Sequence, residues 1–353
     1  MSQRSRTLLV ATAMILAAGL GLGLRSLIAA GFFTPIHPGF SGSCRIVTGI
    51  SGPEDLQIDA PDGLVFISAT DRRAVTPDPR DGLYTMSLSH GGLTRLSGAP
   101  ADFHPHGLSL YRGPDGRLTL MVVDHHANGV SSIDIFDVTV KDGAASLSAR
   151  ALIEGGLLVH PNDVAAVSPD AFYTTNDSTS RSEAGRAFDA YAVLPRSNVI
   201  YFDGGVFRIV ATGLAFANGI QVSHDGNYVY VATTLGRALF TYKRNAFTGN
   251  LVQVNTLSIA SGLDNIDIDA NGNLWVAGQP RLLQNARFRR NADDPAASQI
   301  FKVTMGGGVP QSAEPVYTNM GREIGAASIG ALIGKRLIIG SGLDSKLLDC
   351  TLK

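Results

Sequence analysis

The sequence predicts an all-β fold, a six-bladed β-propeller with an N-terminal hydrophobic helix. Three observations carry that prediction. One hairpin plan recurs six times at intervals of roughly fifty residues. Every copy opens on a polar residue and continues as a short strand of alternating apolar character. No amphipathic helical period of any length interrupts the strands.

The first element is the hydrophobic segment. Arg4 and Arg6 precede an apolar run over 8–24 that only Thr12 breaks, and a second apolar piece follows Arg25 and Ser26 as far as Phe33. At about 1.5 Å per residue the first run reaches roughly 25 Å, and the continuation more than covers a bilayer core. Residues 1–33 therefore read as an export signal or an anchor. Their length favours a retained anchor over cleavage near Ala29-Ala30. The leading arginines keep the N-terminus inside, so residues 8–33 would hold the membrane with the propeller outside the cytoplasm, periplasmic or extracellular.

Residues 34–43, rich in Pro and Gly, are expected to be a linker, and 44–353 the propeller. The chain has 353 residues, 40 of them Gly, and a net charge of −1. The Gly count suits a turn-rich β protein, and the charge balance excludes a basic nucleic-acid stripe. No protein partner is predicted. The two cysteines, Cys44 and Cys350, stand at the two ends of the propeller and predict one disulfide where the ring closes. Chain entropy sets an upper bound of roughly 5 to 6 kcal/mol for so long a loop.

The six hairpins follow. They open at Glu54, His106, Asn162, Asn218, Asp264 and Ser328 and turn at Asp62-Gly63, Asp115-Gly116, Pro169-Asp170, Asp225-Gly226, Asn271-Gly272 and Gly334-Lys335. Regular antiparallel pairing about these turns sets Glu54 opposite Asp71, His106 opposite His125 and Asn162 opposite Asp177. It likewise sets Asn218 opposite Thr233, Asp264 opposite Gln279 and Ser328 opposite Ser341. All partners are polar, so the pairs are expected to ring one mouth of the channel. Outer strands are expected at 82–88, 131–138, 239–243 and 299–304, and the long irregular stretches 178–197 and 279–297 as lids.

The ring carries chemistry. Glu54, Asn162, Asn218, Asp264 and Asn265 offer five oxygen donors and no thiolate, which suits Ca²⁺, whereas zinc would ask for Cys or His. Two carboxylates just neutralise that ion. Neighbouring strand residues point to opposite sides, so Asp55 and Asp163, with the main-chain carbonyl of Leu108, would hold a second, structural Ca²⁺. His106 and His125 are the natural acid/base pair beside the ring. His104, His126, His160 and His224 lack such a pairing and read as surface or loop residues.

These residues resemble the paraoxonase/arylesterase family. The matching pieces include Pro53-Glu54-Asp55-Leu56, Pro105-His106-Gly107-Leu108, Val122-Val123-Asp124-His125, Asn162-Asp163-Val164, Phe172-Tyr173-Thr174-Thr175-Asn176-Asp177, Phe216-Ala217-Asn218-Gly219-Ile220, Asp264-Asn265-Ile266, Leu274-Trp275-Val276 and Cys350. They span the propeller in order. The resemblance implies two Ca²⁺ per chain, a terminal disulfide, a retained N-terminal segment and hydrolysis of lactones and aryl esters. It gives the same ligand sets and histidine dyad, and places Asp177 and Phe216 on the pocket wall. The sequence departs at Gln279 and Arg237, where family members often carry histidine, and at Gly278 in place of a family thiol.

The expected function is a Ca²⁺-dependent arylesterase/lactonase acting on a small-molecule ester or lactone, its pocket lined by Asp71, Asp177, Phe216, Thr233, Gln279 and Ser341. The alternatives are a gluconolactonase-like sugar lactonase, a metal-free propeller resembling strictosidine synthase, and a non-catalytic calcium-binding propeller.

Overall fold

The computed structural model describes residues 3–74, 78–100 and 102–353; the first two residues of the predicted N-terminal segment lie outside the described residues. Six antiparallel sheets stand around a central channel. Their innermost strands are Pro53–Asp59, Pro105–Arg112, Pro161–Ser168, Ala217–Val222, Gly262–Ile268 and Ala327–Ile333, which open blades 1 to 6. Each contacts the innermost strand of the next blade. The turn glycines Gly63, Gly116, Gly226, Gly272 and Gly334 all have positive φ, from 59° to 81°. That conformation is the one such hairpin turns demand. The expected outer strands are present as Gly82–Ser87, Ser131–Lys141, Ala238–Arg244 and Ser298–Gly306.

The ring closes with residues from both chain ends. Gly42–Thr48 pairs with Lys346–Leu352 as the outermost strand of blade 6. Cys44 lies opposite Cys350 in that register, and the two form a disulfide. Between blades 6 and 1, Leu56, Val65, Ile67 and Met86 of blade 1 pack against Ile329, Ile338 and Leu347 of blade 6, all buried. Each such side chain contributes about 1.5–3 kcal/mol on burial, so the seam is a core in its own right.

Two expectations need correction. The stretches 178–197 and 279–297 are not irregular: with the N-terminal helix α1 (Gln3–Ala29), the chain forms α2 (Glu183–Tyr191) and α3 (Leu282–Arg290). Ser182 caps α2 by accepting the Gly185 N–H at 3.1 Å, and Glu183 favours its positive end. Helices of nine residues present too few turns for a period to register in sequence. The hairpin register is the second correction. Pairing slips within all six innermost strands, at 53/55, 105/108, 161/164, 217/220, 263/266 and 327/329. Every opener therefore sits in a β-bulge, a device that re-aims a side chain. Pro53 rather than Glu54 meets Ala69, Pro105 meets Asp124, and Pro161 meets Asn176.

Helix α1 runs on through Arg25 and Ser26, joining the two apolar pieces. Its 27 residues span roughly 40 Å, and apolar side chains such as Ile15 and Leu20 are exposed. It is long and apolar enough to cross a membrane. Its C-terminal end docks on the propeller. Arg25 donates to Val193 O at 2.8 Å, Leu282 N donates to Ala30 O at 2.9 Å, and Arg237 donates to Ala29 O at 3.3 Å and Thr34 Oγ1 at 3.0 Å. Arg237 thus holds the exit of α1 and does not line the channel cavity.

Candidate active site at the mouth of the channel

All six openers, Glu54, His106, Asn162, Asn218, Asp264 and Ser328, line one cavity of about 1600 Å³, which α2 and α3 overhang. The bulges bring them inward, and two glycines let the blades close up. A Cβ on Gly107 would lie 2.3 Å from Asp163 Oδ1, and one on Gly219 would lie 2.6 Å from Asn265 Cα. Both follow an opener, so the site's geometry is built on backbone approach as much as on side chains.

Asn265 Nδ2 donates to Glu54 Oε1 at 2.9 Å across the channel, and Ser328 Oγ donates to the Glu54 carbonyl at 2.5 Å. Gln279 Nε2 donates to Asp264 Oδ2 at 2.5 Å and is itself held by Asn285 of α3. Four buried oxygens remain without a hydrogen-bond partner: Glu54 Oε2, Asn162 Oδ1, Asn218 Oδ1 and Asn265 Oδ1. Leaving such atoms unpaired costs about 1–3 kcal/mol each. Burial raises the pKa of Glu54, with Arg72 opposing it, and burial followed by the Glu54 charge pushes Asp264 well above its ordinary value. Unpaired amide oxygens beside two strained carboxylates are the donor set of an oxygen-liganded cation, so the residues fit one.

One residue further along two of these strands the picture reverses. Asp55 accepts from Leu56 N and Leu108 N, both at 2.8 Å, and Asp163 accepts from Val164 N and Ile220 N, both at 2.7 Å. Each carboxylate ties its blade to the next. Leu108 meets Asp55 through its N–H. Burial, then mutual repulsion, holds Asp55 well above the carboxylate range, and burial does the same for Asp163.

His106 Nδ1 lies 3.0 Å from His125 Nε2, and His125 Nδ1 lies 2.9 Å from Ser131 Oγ. His106 Nε2 faces Glu54 Oε1 at 3.6 Å. Burial, then the Arg72 charge, pushes His106 well below its ordinary value; burial and His160 bring His125 down to about 3. Both shifts favour the neutral imidazole.

Several expected residues fall elsewhere. Asp177, Phe216 and Gln279 line the cavity, whereas Asp71, Thr233 and Ser341 do not. Asp71 lies past its strand and accepts from Arg73 N at 3.0 Å, Thr233 Oγ1 donates to Ala238 O at 2.8 Å, and Ser341 Oγ donates to Gly325 O at 2.6 Å. The bulges shift the pairing, so that Thr233 meets Ala217 and Ser341 meets Ala327 rather than the openers. Phe216 holds φ of 59°, a strained setting for an aromatic residue on a pocket wall.

His160, read from sequence as a surface or loop residue, lines the cavity: its Nδ1 lies 2.8 Å from Asp177 Oδ1 and its ring 5.7 Å from the His125 ring. Ser131 also escaped sequence reasoning; its place two residues after a turn gave no signal. Behind the dyad, His126 is paired too. Its Nδ1 lies 3.3 Å from Asp124 Oδ2, its Nε2 lies 3.1 Å from Ser132 Oγ, and Ser132 donates to Asp134 Oδ1 at 2.6 Å. Asp124, His126 and Asp134 have ligand atoms within 4.8 Å of one another, a second group able to hold a metal.

The molecule is thus a six-bladed β-propeller with a polar, oxygen-rich cavity at one mouth of its channel. The Arylesterase family profile matches residues 37–352. The chain is 30% identical over 323 residues to human serum paraoxonase/arylesterase 1, covering 88% of this chain and 89% of that one. It is 30% identical over 311 residues to chicken serum paraoxonase/arylesterase 2, covering 85% and 86%. Among solved structures, regucalcin of Agrobacterium tumefaciens, described as a calcium-binding protein, superimposes with a TM-score of 0.54 at 15% identity over 90% of this chain and 98% of that one. The chain belongs to the arylesterase family.

Proposed function

We propose that this protein is a Ca²⁺-dependent hydrolase of lactones and aryl esters, with one ion at the cavity floor and a second below it. The observation that carries the reading is the set of four buried, unpaired oxygens beside a neutral histidine pair. Glu54, Asn162, Asn218, Asp264 and Asn265 would hold the upper ion, and Asp55, Asp163 and the Leu108 carbonyl the lower one. When bound, the upper ion supplies Lewis-acid polarisation of the ester carbonyl.

The chain's own residues do the rest. Gln279, backed by Asn285, keeps Asp264 in one orientation. In the tautomer that leaves His106 Nε2 free toward the cavity, His106 Nδ1–H donates to His125 Nε2, and His125 Nδ1–H donates to Ser131 Oγ. His106 then takes a proton from water at Nε2, and His125 steadies the resulting imidazolium. Family membership supports ester or lactone hydrolysis. Helix α1 would act as the membrane anchor, and the disulfide is consistent with an oxidising compartment outside the cytoplasm.

The test is hydrolysis of phenyl acetate and a medium-chain δ-lactone by the detergent-solubilised full chain. Activity should vanish with a chelator and return with Ca²⁺. Activity indifferent to chelation contradicts the proposal.

A further inference from the structure

Six arginines line the cavity, none of them used by the hydrolytic machinery, and the charges of two, Arg72 and Arg289, reach Glu54. Arg72 lines the cavity beside Glu54, yet its guanidinium meets only main-chain carbonyls at long range: Gly52, Thr70 and Gly342 through Nη1 at 3.3–3.5 Å and Pro105 through Nη2 at 3.4 Å. Arg289, in the last turn of α3, lines the same cavity and has no hydrogen bond or ion pair among the described residues. Its neighbours differ: Arg287 pairs with Asp294 at 3.1 Å, and Arg290 donates to Ala286 O at 3.2 Å.

The backbone that carries Arg289 is fixed. Arg73 donates to the Phe288 carbonyl at 2.9 and 3.1 Å, and its guanidinium lies 4.3 Å from the centre of the Phe288 ring. Arg289 is therefore presented over the cavity by a clamped helix end, with a side chain free to meet a ligand. Among the described residues, no carboxylate lining the cavity, Glu154 and Glu183 included, forms an ion pair with it. Asp177 lies 2.8 Å from His160 and Asp189 pairs with Arg196, while Glu54 and Asp264 are the ones assigned to a divalent cation. Once that cation neutralises them, Glu54 and Asp264 no longer offset the charges of Arg72 and Arg289. Burial and mutual repulsion already lower the pKa of Arg289.

We propose that Arg72 and Arg289 form an anion subsite beside the oxygen ring, so that the preferred ester or lactone carries a carboxylate or similar anionic group away from the bond that is cleaved. This deepens the hydrolase reading and rests on it. A guanidinium pair recognises a carboxylate by charge-assisted, often bidentate hydrogen bonds, and its effect is strongest where water is partly excluded.

The experiment compares 4-acetoxybenzoate with its neutral analogue, methyl 4-acetoxybenzoate, on the calcium-loaded full chain and on Arg289→Gln, an α3 change remote from the blade core. The wild type should prefer the anion by roughly tenfold or more in kcat/KM, largely through KM. In Arg289→Gln that preference should collapse toward parity, and Arg289→Lys should restore part of it. A preference for the neutral ester, or one unchanged by Arg289→Gln, overturns the subsite; equal loss on both esters assigns Arg289 to the product carboxylate or to α3 and overturns it too. Calorimetric binding of 4-hydroxybenzoate reads the subsite without turnover. Binding that depends on Arg289 in a protein that cleaves neither ester supports the subsite while defeating the hydrolase reading.

Discussion

Glu54 and Asp55 are adjacent, as are Asn162 and Asp163, yet their side chains live in opposite circumstances. Glu54 Oε2 and Asn162 Oδ1 are buried with nothing to bond, whereas both oxygens of Asp55 and of Asp163 accept main-chain N–H groups, one of them from the next blade. A β-bulge makes the difference by splitting neighbours between the cavity and the blade interface. The lesson is that burial alone does not tell a carboxylate aimed into the cavity from one that braces the blades. All four acids Glu54, Asp55, Asp163 and Asp264 are buried with raised pKa. What separates Glu54 from Asp55 and Asp163 is whether the fold already satisfies both oxygens.

The contrast can be broken from either side. The largest effect is expected for Glu54→Gln: loss of about a hundredfold or more in calcium-dependent kcat/KM. In chelator the same variant should melt at or above the wild-type temperature, since a buried charge repelling Asp264 has gone. Asp163→Ala should behave in the opposite way. It strands the Val164 and Ile220 N–H groups and should cost about 2–4 kcal/mol in urea unfolding without calcium, and more with calcium, where the lower ion also loses a ligand.

Asp124 is the intermediate case: Oδ1 accepts from His104 N at 2.7 Å, and Oδ2 has no hydrogen bond. Burial raises its pKa from 3.8 to about 6. The folded state then binds this proton more tightly than the unfolded chain. Its stabilisation is complete below pH 3.8 and is lost as pH rises through about 6. Asp124→Asn keeps the acceptor for His104 and should flatten that fall, worth at most about 3 kcal/mol. The smallest effect is expected for Ser131→Ala, which frees the far end of the histidine pair: roughly five- to tenfold in kcat, little change in KM, and no loss of calcium binding.

Much of this was legible in the sequence because propellers repeat. The Asp62-Gly63 type of turn and the polar opener marked each hairpin, and Cys44 with Cys350 marked the closure. His106 and His125 were found as a pair although they are not opposite in register; their side chains meet from either side of a bulge. The bulges themselves left no trace, since an extra residue in a strand depends on how closely the next blade approaches, as at Gly107 and Gly219. Asp71, Thr233 and Ser341 were misplaced for that reason. Arg72, Arg289 and His160 gather at the cavity from distant parts of the chain, and no local pattern reports such convergence.

The most direct measurement is calcium bound per chain, by atomic absorption, after chelation, reloading and gel filtration of the wild type and Glu54→Gln. The account predicts two ions for the wild type and one for the variant. A wild type that retains none, or a variant that retains as many as the wild type, would contradict it.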